Sequence, residues 1–151
     1  SWFALAPDPG TVHAAAQAGV PGSVFEHYRS LITLRHDDDA LALGTFRLLA
    51  ADHPTAWVIL RQWRSPEPDE TGENRVEQLL LIAQCAREDL PLVGEGGLLV
   101  TLAAEGLEPG EWSGAEQVLR AGDPDVQPGS THAGLPEALP GWDSILLRRR
   151  A

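Results

Sequence analysis

The residues able to do chemistry are spread thinly along this chain, and the spacings that would gather them into a site are absent. The densest group is Arg35-His36-Asp37-Asp38-Asp39. Acids are unfavourable at the negative end of a helix dipole, so this run reads as a solvated linker that follows a helix ending near His36. His13, His27, His53 and His132 lie far apart and contain no His-x-x-x-His pair, which makes them surface or structural histidines and not metal ligands. Asp123 and Asp125 lack the glycine and distal glutamate of a calcium loop and read as turn residues. Gly94-Glu95-Gly96-Gly97 has no lysine and leads into an apolar run expected to be a strand, so it reads as a hairpin turn and not a phosphate cradle. Cys85 is the only cysteine, which excludes an internal disulfide and a thiolate metal site; lying in an apolar run with no adjacent cation, it reads as a buried, inert thiol. No catalytic, cofactor-binding or metal residue is expected from these patterns, and no cofactor.

The five tryptophans carry the remaining chemical interest, since an exposed indole can stack on the apolar face of a sugar and a buried one can anchor a core. Trp57, between strand residues of alternating character, and Trp142, at the start of a final strand, are expected to be core or interface anchors. Trp63 and Trp112 border loops and are expected to be exposed.

The elements that would position these residues follow from periodicity. Pro21 and Gly22 block helix upstream of Ser23, and Ser23 and Glu26 have the Ser-x-x-Glu spacing of a capping box. Val24, Phe25, Tyr28, Leu31 and Ile32 then recur at helical spacing, so a helix over about 23–36 presents an apolar stripe that needs a cover. Arg29, Arg35 and His36 suit its C-terminal end. From Leu41 onward the period changes to short β-prone runs, Thr45 to Leu49, Ala56 to Trp63, Gln78 to Ala86 and Leu98 to Ala103, with further strands at Glu116 to Arg120 and Ser144 to Arg149. Ser65 to Asn74, with two prolines and four acids, reads as a solvated hairpin loop, and Ala121 to Glu137 as a long surface loop. The fold class is mainly β: an antiparallel sandwich of Greek-key type preceded by one amphipathic helix.

Particular runs carry a family resemblance. Trp2-Phe3-Ala4-Leu5-Ala6-Pro7-Asp8, Ala15-Ala16-Gln17 and the helix Ser23 to Arg35 resemble the stretch that closes the catalytic barrel in the α-glucosidase and oligo-1,6-glucosidase branch of the α-amylase family, glycoside hydrolase family 13. Gly44 to Leu49, Asp52-His53-Pro54 and Trp57 to Arg61 are similar to the first strands of that family's C-terminal β-domain, and Leu139 to Arg148 to its last strand. The resemblance is strongest from Trp2 to Arg61. Leu5-Ala6-Pro7-Asp8, where the family often reads Val-Asn-Pro-Asn, and Gln84-Cys85, where it reads Asn-Phe, mark a divergent member. The resemblance implies that 1–40 is the end of a (β/α)₈ catalytic barrel and 41–151 a C-terminal β-sandwich, with Trp2 near the barrel's active-site face. The run Arg35 to Asp39 is similar to the family's Asn-His-Asp motif but follows the closing helix where the motif precedes it, so it is not expected to be catalytic. The catalytic carboxylates of such an enzyme stand at the ends of barrel strands, and those strands are not expected in this chain. The implied role is structural, within an enzyme acting on α-glucosidic oligosaccharides. A transglycosylating relative, such as a trehalose synthase or sucrose isomerase, shares the layout. The alternative is an autonomous carbohydrate-binding module using its tryptophans as a platform.

Size and charge bound the same answer. The chain has 151 residues, whereas a (β/α)₈ barrel alone takes about 250. It contains no methionine, even at position 1, which reads as a processed product or a segment of something larger. The formal charge of −11 argues against nucleic acid and anionic membrane surfaces as partners, because both need a basic patch. No apolar run approaches the length of a membrane span. The partners the resemblance implies are α-glucans through the parent enzyme and the catalytic barrel itself, and the apolar helix face adds a second copy as an expected partner. A cytoplasmic location is expected from the cysteine usage.

Overall fold

The computed structural model describes residues 8, 10, 13–121, 123 and 132–150. Trp2 and its neighbours, Asp125, the side chain of His132 and most of 121–137 lie outside them.

Three helices come first: α1 (Ala14–Gln17), α2 (Val24–Asp37) and α3 (Asp39–Ala42). The start of α2 is half of a capping box. The Ser23 hydroxyl accepts the Glu26 N–H at 3.3 Å, but the Glu26 carboxylate reaches past Ser23 to accept the Gly19 N–H at 2.7 Å. Gln17 of α1 completes the cap, its side-chain oxygen accepting the Phe25 N–H at 3.1 Å while its carbonyl accepts the Ser23 hydroxyl at 2.8 Å. The bonds to the Phe25 and Glu26 N–H groups satisfy amides that the first turn of a helix leaves unpaired.

The remainder is dominated by one antiparallel sheet built from β1 (Thr45–Leu49), β2 (Ala56–Pro68), β3 (Asn74–Gln84), β5 (Glu116–Arg120), β6 (His132–Ala133) and β8 (Ser144–Arg150). Its six strands run in the order β1-β2-β3-β8-β5-β6, so the final strand is inserted between β3 and β5. The short strands β4 (Leu90–Pro91) and β7 (Ala138–Leu139) form a separate two-stranded ribbon. The mainly antiparallel class implied by the sequence is therefore the one observed.

Alternation along the strands divides the core. Val58, Leu60, Leu80, Ile82, Ile145 and Leu147 point to one face, where the ribbon residues Leu90 and Leu139 and the helix residues Leu98, Leu99, Leu102 and Trp112 cover them. Leu79, Leu119 and Leu146 point to the other face and meet Leu34 of α2 and Ala40 of α3. The unbroken apolar run Leu79 to Ala83 in β3 is what a strand covered on both faces requires.

Four local expectations are corrected. The run expected as a strand from Leu98 to Ala103 is a helix, α4 (Leu98–Leu102), followed by a 3₁₀ turn (Ala103–Glu105); a second short helix, α5 (Pro109–Trp112), comes later. An apolar run this short fits either state, and burial of Leu98, Leu99 and Leu102 on one side selects the helix. Consequently the glycine-rich turn leads into a helix; its Gly97 N–H donates to the Gly94 carbonyl at 3.1 Å. β2 extends through Pro68, narrowing the expected Ser65–Asn74 loop to a tight turn. There the Thr71 hydroxyl donates to the Asp69 carboxylate at 2.6 Å and the Thr71 N–H at 2.8 Å; these bonds hold the Asp69 carboxyl below its ordinary range. Cys85 is exposed, because β3 ends one residue before it.

Candidate functional site: an open apolar face

The surface that stands out is the incompletely covered face of the sheet beside α2. Leu34 packs with Leu79, Val118, Leu119 and Leu146, which sets α2 over β5, β8 and the near side of β3. Among the described residues, the β1–β3 side of that face is covered only by the short α3, which packs on β2 and β3. Between α2 and this bare region runs a groove of about 410 Å³, lined by Leu31 and Arg35 of α2 and by Phe46, Ile59, Leu81 and Ala83 of the sheet.

The expected apolar stripe of α2 is split by this arrangement. Leu31 and Leu34 turn toward the sheet, whereas Val24, Tyr28 and Ile32 are 64%, 62% and 57% exposed, with Phe25 beside them. Phe46 and Leu48 on β1 and Trp57 on β2 extend the exposed apolar surface across the sheet.

Polar joints hold the helix pair in place. Asp38, expected to lie in a solvated linker, is 5% exposed. Its carboxylate accepts the Leu41 N–H at 2.9 Å, capping α3, and pairs with Arg148 of β8. Arg148 also lies 3.7 Å from Glu116. A short polar residue between two helices can cap the second, and buried there it needs a counter-charge, which explains why this acid is internal. On the other side of α3, Arg61 of β2 donates to the Ala40 carbonyl at 3.0 Å and the Gly44 carbonyl at 2.7 Å, completing the helix C-terminus. The chain turns so tightly that a Cβ at Gly44 would clash with the Ala40 carbonyl and lie 3.0 Å from that of Gln62.

The tryptophans redistribute. Trp112, expected to be exposed, is 2% exposed beneath the Arg149 guanidinium, while Trp57 and Trp142, expected as core or interface anchors, are 58% and 68% exposed and so are not core residues. Trp63 is partly buried, with Arg75 over its ring at 5.4 Å. Loop proximity misled here: α5 delivers Trp112 into the core, whereas Trp57 alternates with the buried Ala56 and Val58 and therefore faces the bare side. That alternation was the signal available for the open face, since Trp57, Ile59 and Arg61 share one side of β2.

The arrangement offers apolar area edged by arginines, suited to non-covalent docking. The acids close to the sheet are engaged: Asp143 with Arg120 at 2.9 Å, Glu77 with Arg150 at 3.0 Å, and Glu111 with Arg149. Among the described residues no cluster of three or more histidine, cysteine or acidic side chains is placed to hold a metal ion. His13, His27 and His53 are not brought together; His13 and His53 serve as local hydrogen-bond acceptors.

No family model matches the chain. It is 42% identical over 53 residues to an α-glucosidase from Pediococcus pentosaceus, covering 35% of this chain and 10% of that protein. It is 33% identical over 82 residues to an oligo-1,6-glucosidase from Heyndrickxia coagulans, covering 54% of this chain and 13% of the relative. With a trehalose-6-phosphate hydrolase from Escherichia coli K12 it shares 28% over 90 residues, 60% of this chain and 14% of that one. The chain thus spans 10–14% of the length of these relatives. Among solved structures, the trehalulose synthase MutB from Pseudomonas mesoacidophila MX-45 superposes with a TM-score of 0.62 at 21% identity, over 99% of this chain and 22% of that one. That likeness establishes the fold. Taken with the sequence matches, it makes this chain a relative, over a short part of their length, of the α-glucosidase-type enzymes of the α-amylase family.

Proposed function

We propose that this chain is the C-terminal, structural part of an α-glucosidase-like hydrolase acting on α-glucosidic oligosaccharides, and that its open face seats it on the catalytic barrel. In this reading 1–40 ends the barrel and 41–151 is the C-terminal β-domain. The observation that carries it is the number of large apolar side chains left exposed on both α2 (Tyr28, Ile32) and the neighbouring sheet face (Phe46, Trp57), with an apolar groove between helix and sheet. Covering each such side chain is worth roughly 1.5–3 kcal/mol as an upper estimate. In isolation the chain would cover this face with a second copy. A cytoplasmic location is part of the same proposal; no helix among the described residues is long and apolar enough to cross a membrane.

Grafting tests the reading. This chain replaces the matched segment of the Heyndrickxia coagulans oligo-1,6-glucosidase, and the hybrid is assayed on isomaltose. The expected result is a soluble, active hybrid that loses stability on Phe46→Asp and Trp57→Asp, while the isolated chain hydrolyses nothing. A hybrid indifferent to both changes, or turnover by the purified chain alone, would refute the assignment. The exposure of Trp57 and Trp142 supports a second reading, a carbohydrate-binding module. Maltooligosaccharide titration of indole fluorescence separates the two, with a saturable change lost on Trp142→Ala favouring the module.

A further inference from the structure

We infer that the turn between β1 and β2 is a proton-operated latch, with His53 as the switch. Three facts of local geometry converge on this imidazole. Its Nδ1 accepts two backbone N–H bonds, from Thr55 at 3.2 Å and from Ala56 at 2.8 Å. Pro54 between them has no N–H, so these are the first two donors after His53, and its ring restricts His53 to extended backbone that suits the turn. Ala56, the first residue of β2, gives its N–H to the imidazole, and the Thr55 carbonyl accepts the Cys85 N–H at 2.8 Å, so the latch ties the turn to the end of β3.

An imidazole with an accepting Nδ1 must be neutral and carry its proton on Nε2. Protonation turns Nδ1 into a donor that faces two donors, so both bonds are lost together and neither amide keeps its partner. The residue next along β2 is Trp57, 58% exposed, so acidification loosens the strand at the point where it presents an indole to solvent.

Among the described residues, the other titratable groups within this turn or on residues hydrogen-bonded to its backbone are Asp52, Glu105 from the 3₁₀ turn and Cys85 beyond β3; the charged groups of the adjoining strands are Arg47 on β1, Arg61, Arg64 and Glu67 on β2, and Arg75 and Glu77 on β3. Glu105 holds the turn independently, accepting the Ala50 N–H at 2.8 Å where Ala50 adopts a left-handed φ of 48°. It is the group whose protonation would also loosen this turn, and the experiment separates it from His53.

The test is an NMR titration of the whole chain from about pH 8 to about pH 5, the span in which imidazoles change charge. Imidazole nitrogen shifts report the His53 tautomer, and hydrogen-exchange protection at Thr55 and Ala56, corrected for the intrinsic pH dependence of exchange, reports the latch. The expected result is an Nε2–H tautomer at high pH and a fall in protection of about tenfold at both amides as His53 protonates. His53→Asn, which keeps an acceptor but does not titrate, should hold its protection across the range, and Glu105→Gln should leave the pH-dependent loss intact. An Nδ1–H tautomer, unchanged protection around a protonated His53, the same acid loss in His53→Asn, or abolition of that loss by Glu105→Gln would each overturn the inference.

Discussion

The two faces of the central sheet are presented by the same strands and both carry apolar side chains, yet they are covered unequally. On one face, Leu80, Ile82, Ile145 and Leu147 are sealed under the ribbon, α4 and α5. On the other, Leu79 and Leu146 are sealed under the helix pair, while Phe46, Leu48 and Trp57 stay in water. What differs is the chain available to cover them. The 90–112 segment, with β7, covers the apolar centre of the first face; the second receives α2 and α3, which are wide enough for only part of the sheet. Burial here is a property of the cover and not of the strand.

Breaking the sealed face should have the largest effect. Trp112→Ala removes a nearly fully buried indole and is expected to cost about 3–5 kcal/mol in a urea-unfolding experiment. On the open face Trp57→Ala should change monomer stability by less than about 1 kcal/mol. Equal losses at the two positions would dissolve the contrast.

The polar joint under α3 should come next. Asp38→Ala leaves Arg148 largely buried with only the more distant Glu116 carboxylate, and is expected to cost about 3 kcal/mol, toward the low end for a broken buried pair because the arginine keeps some access to water. Calorimetry would measure it. Gly44→Ala should cost about 1–3 kcal/mol by forcing the Ala40 carbonyl aside, an overpacking penalty visible as a lower melting temperature.

Smaller still is the effect expected for Phe25→Ser with Ile32→Ser. Both side chains are exposed on α2, so monomer stability should move by less than about 1 kcal/mol while any self-association seen by analytical ultracentrifugation weakens. Cooperative unfolding of the whole chain by this pair would make the outer side of α2 part of the sealed core.

The weakest effect sharpens the distinction at the β2–β3 turn. The Thr71 hydroxyl and the Thr71 and Glu73 amides depress the folded-state pKa of Asp69, so its contribution is present above the unfolded value and is lost as pH falls through the lower folded one. Comparing wild type with Asp69→Asn should show a small stability difference at neutral pH that closes in acid. A difference that widens in acid would reverse the assignment.

Local signals were legible wherever one segment settled its own structure. The Ser23 cap, the change of period after Leu41 and five of the six proposed strands follow from nearest-neighbour stereochemistry and alternation. The Leu98 run was ambiguous because a few apolar residues satisfy either period until the sheet beneath them chooses. Asp38 could not be read as internal, since its partner Arg148 lies 110 positions away. Trp112 was misplaced for the same reason, and the core alternative for Trp57 and Trp142 fell with it: whether an indole is covered depends on what crosses it from elsewhere in the chain.

The sequence by itself determined the helix start, the strands, the acidic charge and the kinship to α-glucosidase-type enzymes, because caps, periodicity and motifs are short-range. Tertiary structure alone decided which face of the sheet is sealed, which acid is internal and which tryptophans meet water, because those outcomes are set by long-range packing that no single segment encodes.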